Sequence, residues 1–143
     1  MKNINYLAGR FLKLAQNSDP ELDSPNVRIE PMESVVQKAV DLLKQKDPNY
    51  FKGVRSVVLN ASGSSYGHVE SGPDKDPSII NLNFARIKQE VMSKGGSEED
   101  IVRAVAEIIA HEKGHVASYK PEQGFVGGEN PAEQEASRIR NMI

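Results

Sequence analysis

The chain has 143 residues, enough for one domain around one modest core. Apolar residues make up 38% and charged residues 27%, and the formal net charge is −2, so the basic surplus typical of nucleic-acid binders is missing. There is no cysteine, which excludes disulfides and thiolate metal sites, and no apolar run approaches the roughly 20 residues that span a bilayer.

Residues 1–16 carry Lys2, Arg10 and Lys13 and no acid. Ile4, Leu7, Ala8, Phe11, Leu12 and Ala15 recur on one helical face, which predicts a basic amphipathic leader helix. Such a helix docks on its own domain or on a partner subunit, so self-association through it is one expected use. A basic amphipathic helix can also lie on a membrane surface. Arg10 and Lys13 interrupt any secretory core and no small-residue cleavage site follows, so the expected location is cytoplasmic. Residues 17–30 read as a linker, acidic at Asp19, Glu21 and Asp23 and broken at Asp19-Pro20 and Ser24-Pro25. The domain is expected to occupy residues 31–143.

The first domain helix is predicted from about Pro31 to Lys46, with Met32, Val36, Ala39 and Leu43 as its apolar stripe and Pro48 beyond its end. A strand follows over about Val54 to Ala61, carried by Val57-Val58-Leu59. After a turn at Ser62-Gly63-Ser64-Ser65, a short strand is predicted over Tyr66 to Glu70 and another over Ser78 to Asn83. Phe84, Ile87 and Val91 have helical spacing, and Gly95-Gly96 stops that helix. Ser97 then caps a helix whose stripe is Ile101, Val105 and Ile108, with Asp100 at the capping-box position. Pro121 marks the latest end of this helix. A loop with Gly124, Gly127 and Gly128 leads to Asn130-Pro131, read as N-cap and first position of a last helix. The expected class is α+β, with a small three-stranded sheet, mixed or mainly antiparallel, packed on the long helix.

Two of the three histidines fall in His111-Glu112-Lys113-Gly114-His115. Four residues of separation puts both imidazoles on one helical face, where both can reach one zinc at about 2.0–2.1 Å. Glu112 projects beside such an ion and can take a proton from its water. The bland alternative is a surface helix with two unrelated histidines. Gly114 argues against it, since glycine inside a helix costs about 1 kcal/mol relative to alanine unless something packs closely there. A third ligand must come from downstream or from a loop, and Glu129, Glu133 and Glu135 are all candidates. Asn130 and Glu133 also have capping-box spacing, and Glu135 could be a solvated charge.

His111-Glu112-Lys113-Gly114-His115 followed by Glu133-Gln134-Glu135-Ala136 resembles the gluzincin metallopeptidases, and among them the small soluble minigluzincins. The resemblance covers about residues 31–143 and implies a zincin-like fold ending in a glutamate helix. It implies zinc held by His111, His115 and Glu133, the Glu three places before Ala136. It departs at Ser137, where related peptidases have an acidic or amide residue that supports a His ligand. It also implies a rim strand near residues 65–70, with Tyr66, His68 and Val69 along a bound peptide that pairs in antiparallel fashion. Helix geometry favours the same ligand: Glu135 lies about 200° around the helix from Glu133, so the two cannot face one ion. Ala136, Ile139 and Met142 would continue the face of Glu133 toward the domain and leave Glu135 toward solvent. Glu129 would lie in a loop that costs more to order.

The expected activity is zinc-dependent hydrolysis of peptide bonds in peptides or unfolded proteins, with Glu112 as general base. The alternatives are a latent or non-catalytic zinc protein that acts through partner binding, and a regulatory partner served by the leader helix. Three further residues have weaker claims. His68 could stabilise an oxyanion or block the metal. Tyr119, one turn beyond His115 on a continuing helix, could donate to an oxyanion, though packing is the commoner use. Arg140 could hold a carboxylate.

Overall fold

The computed structural model describes residues 28–30, 34–59 and 64–143. The leader helix expected over 1–16 and the linker up to residue 27 lie outside these residues, as do 31–33 and 60–63. The domain is α+β, as expected, but its main sheet has four strands instead of three. The addition is β1, Arg28–Glu30, inside the segment read as linker; it pairs in parallel with β2, Ser56–Leu59. β2 also pairs in parallel with β4, Ile79–Leu82, with Val57 opposite Ile80. β3, Gly67–His68, closes the other edge antiparallel to β4. The order β1-β2-β4-β3 is therefore mixed and mainly parallel. Val57, Ile80 and Leu82 are buried, which is why the apolar runs read as strands.

Helix α1, Ser34–Lys46, buries Val36, Ala39, Val40 and Leu43. These positions recur at three and four residues, as one helical face must. Beyond Pro48, Tyr50 and Phe51 turn inward as an edge-to-face pair at 5.3 Å and are almost fully buried. No periodic pattern announces them, because they sit in a turn. α2, Phe84–Ser93, is capped by Asn83, whose side chain accepts from the backbone N of Arg86 at 3.4 Å.

The long helix α3, Glu98–Ser118, starts with the expected capping box. The Asp100 amide donates to Ser97 Oγ at 3.3 Å, and the Ser97 amide donates to Asp100 Oδ2 at 2.8 Å. Two orphan donors of the first turn are satisfied reciprocally. α3 packs against α1, α2, β3 and β4. It ends earlier than the latest point allowed: Tyr119 leaves the helix in extended conformation. It opens a small hairpin, β5 Tyr119–Lys120 against β6 Gly124–Phe125. α4, Asn130–Arg140, then returns along α3. Its cap position is Glu129, one residue earlier than expected, with no side-chain capping bond. Asn130 is already helical, so the Asn130–Glu133 capping box is not made and Glu133 is free of that role.

Candidate metal centre

Gly114 explains how α4 reaches the histidines. A Cβ at this position would lie 2.5 Å from Ala132 Cα and 2.6 Å from the Pro131 carbonyl oxygen. The first turn of α4 therefore presses its backbone onto the turn of α3 between His111 and His115, and only glycine leaves room. Ala132, Ala136 and Ile139 bury the contact face of α4.

His111 and His115 stand side by side, ring centroids 5.2 Å apart. Each turns Nε2 toward one carboxylate. Glu129 Oε1 is 3.1 Å from His111 Nε2, and Glu129 Oε2 is 3.4 Å from His115 Nε2. The donor atoms of His111, His115 and Glu129 all lie within 4.8 Å of one another. Bonds of about 2.0–2.1 Å at tetrahedral angles put ligand atoms about 3.4 Å apart, so this spacing is compatible with a shared zinc. Two imidazoles and a carboxylate without thiolate are a donor set zinc accepts. His115 Nδ1 is buried and makes no hydrogen bond among the described residues. Its ring is held by contact instead: Phe125 meets it edge-on at 5.8 Å, and the Tyr119 ring in turn lies 5.2 Å from that of Phe125. Tyr119 thus belongs to an aromatic packing cluster on the hairpin.

Glu133 lies on the other side of His111, with Oε2 3.6 Å from Nδ1. Glu135 does not face solvent, contrary to the expectation. Its side chain is only 17% exposed, accepts from Tyr50 Oη at 2.6 Å, and is gripped by Arg138 at 3.0 and 2.8 Å. The apolar face of α4 stops at Ile139, and Met142 is exposed. With Ala132 against Gly114 and Ala136 and Ile139 buried, α4 is turned so that Glu135 meets Tyr50 on the side away from the histidines. Burial would raise the Glu135 carboxyl, but hydrogen bonds from Arg138 and Tyr50 and the charges of Arg138 and Lys113 hold it below its ordinary value. Arg140 pairs with Glu107 of α3.

Glu112 points under the cleft and is 5% exposed. Burial, and then the negative charge of Glu129, push its carboxyl up to about 8. A cation between the histidines would oppose that rise. Gly67 of β3 leaves room for the Glu112 side chain: a Cβ there would lie 2.9 Å from the Asn81 carbonyl, 3.1 Å from Ile108 and 3.4 Å from Glu112 Cγ. The β3 segment is tied down by two buried asparagines. Asn81 Nδ2 donates to the His68 carbonyl at 3.2 Å, and Asn83 Nδ2 donates to the Ser65 carbonyl at 3.1 Å. Among the residues that sequence reasoning missed, these asparagines and Gly67 had one signal: polar and glycine positions inside apolar strand runs.

Gly67, His68 and Val69 line one groove with His111, Glu112, His115, Phe125 and Glu129. Tyr66 lies in the adjoining groove, which shares Gly67, His111 and Glu112 and adds Glu133. His68 Nε2 contacts Glu70 at 3.1 Å, and the Arg86 guanidinium sits 5.5 Å from the centre of the Tyr66 ring. No helix among the described residues is long and apolar enough to cross a membrane. No family model, curated protein or solved structure matches the chain.

Proposed function

We propose that the chain is a zinc-dependent metallopeptidase of gluzincin type, acting on peptides or unfolded proteins. The observation that carries this reading is the convergence of His111 and His115 through Nε2 beside the buried Glu112, under an edge strand that shares their groove. His111 and His115 would hold the metal, with a carboxylate from the start of α4 as third ligand. Zinc bound there would supply Lewis acidity toward the scissile carbonyl and toward water. Glu112 lies one residue from the first ligand and serves as general base, accepting the proton of the attacking water on its carboxylate. The backbone of Gly67–His68 offers to an extended substrate the edge of β3 that no other strand among the described residues pairs, with Tyr66, His68 and Val69 flanking it. The phenyl ring of Phe125 gives the His115 side of the groove an apolar wall.

The second reading, a latent or non-catalytic zinc protein, draws on the contact of Glu129 with both imidazoles, which competes with water for the same position. One experiment separates the two. Zinc content is measured by mass, and hydrolysis of quenched peptides and unfolded casein is followed with and without chelator. The peptidase reading expects one zinc per chain and hydrolysis that chelator stops and zinc restores. Stoichiometric zinc without hydrolysis selects the second reading, and hydrolysis indifferent to chelator rejects the first.

A further inference from the structure

We infer that Glu129 is the third metal ligand and that Glu133, whose Oε2 stands 3.6 Å from Nδ1 of His111, is a positioning residue that closes to accept a hydrogen bond from that nitrogen when metal holds the ring. This assignment rests on the zinc reading above. It divides the two carboxylates by the chemistry of the imidazole ring between them.

Glu129 lies against Nε2 of His111 and Glu133 against Nδ1 of the same ring. A neutral imidazole has one nitrogen with a free lone pair and one that carries hydrogen. The nitrogen that binds metal must be the one with the lone pair, and the other then donates. His115 decides which nitrogen of His111 that is. Its own Nε2 faces the same Glu129 carboxylate, at 3.4 Å, while its Nδ1 is buried away from any partner. An ion shared by the two rings therefore sits on their Nε2 side, where Glu129 is. Nδ1 of His111 is left to donate, and the carboxylate beside it is Glu133.

As the side chains stand, Glu133 is on the far side of the ring from that ion, because the two nitrogens of an imidazole point to opposite sides. Its use is to hold the Nδ1–H tautomer, orient the ring and raise the basicity of Nε2. Among the described residues His115 has no such carboxylate, so this support comes to the pair through Glu133. The ligand carboxylate then comes from the cap position of α4, Glu129, and not from the helix interior.

The test uses the full chain and zinc alone, with affinity read by competition against a chromophoric chelator. The variants are Glu129→Ala, Glu133→Ala and Glu133→Gln, with His111 followed by nitrogen-15 NMR. A glutamine accepts a hydrogen bond from Nδ1–H but is a poor zinc ligand. Glu133→Ala should weaken zinc by about 10–100-fold, as loss of an outer partner does, and Glu133→Gln should recover most of that. Glu129→Ala should weaken zinc by more than Glu133→Ala. In wild-type protein the His111 nitrogen shifts should show zinc on Nε2 and hydrogen on Nδ1. Loss of zinc in Glu133→Gln as severe as in Glu133→Ala, with Glu129→Ala near wild type, overturns the assignment and makes Glu133 the ligand. Zinc on Nδ1 of His111 overturns it as well. Wild-type protein that binds no zinc sinks the metal reading itself, a failure distinct from a reversed order among variants.

Discussion

Gly114 and Ala132 meet backbone to backbone, so closely that a Cβ on Gly114 would stand 2.5 Å from Ala132 Cα. This contact fixes where the acidic start of α4 sits relative to the two histidines. Alanine at position 114 would gain about 1 kcal/mol of helix propensity. It would also drive a methyl into backbone that cannot rotate away, and overpacking of this kind costs about 1–3 kcal/mol. Gly114→Ala is expected to lose up to about 2 kcal/mol net in urea unfolding and to weaken zinc binding. A variant more stable than wild type would show that α4 moves freely over this turn.

Glu112→Gln separates metal binding from proton transfer. Glutamine keeps the shape of a side chain that is 5% exposed and lies near Gly67, but it cannot take a proton from water. Zinc affinity is expected to stay within several-fold of wild type, while peptide hydrolysis falls by about 100-fold or more. Turnover equal to wild type would remove Glu112 from the mechanism. Gly67→Val complements this test, since its side chain would press on Asn81, Ile108 and Glu112 and lift the rim strand.

The Tyr50–Glu135–Arg138 cluster predicts an acid-sensitive contribution to stability. The Glu135 carboxyl is held below its ordinary value in the folded protein. A depressed acid contributes stability that is present above its unfolded value, near pH 4.5, and lost as pH falls through the folded value. Glu135→Gln should therefore be less stable than wild type at pH 7, and the gap should shrink as pH falls below the ordinary carboxyl value of 4.5. Tyr50→Phe removes one charge-assisted hydrogen bond and is expected to cost about 1–3 kcal/mol at pH 7. Urea unfolding at pH 7 and pH 3 measures both, and a gap that stays constant with pH would contradict the sign.

The strand at Arg28–Glu30 moves the expected start of the folded unit. Deletion of residues 1–27 should leave one cooperative unfolding transition. Deletion of 1–30 removes the three pairs of β1 with Ser56, Val57 and Val58 and exposes the β2 edge. The second deletion is expected to lower the midpoint by several degrees relative to the first, measured by thermal circular dichroism. Equal midpoints would mean that β1 contributes nothing to the sheet.

Sequence alone determined what local geometry controls. The His111/His115 pair shares a face because four residues make about one helical turn, and Ser97 with Asp100 starts that helix through contacts three residues long. Gly114 was legible as a close contact because glycine is costly inside a helix without one. Tertiary structure decided the rest. β1 has three residues, and its parallel partner lies 28 positions away in register, so no periodicity announces it. Tyr119 leaves the helix because it pairs across a hairpin with Phe125. Which carboxylate meets which nitrogen depends on the rotation of α4 about its own axis. That rotation is held by contacts remote in sequence: Ala132 against Gly114, and Glu135 accepting from the buried hydroxyl of Tyr50, 85 residues earlier. A helical wheel lists the faces of α4, but only the group buried against it selects the one that turns inward.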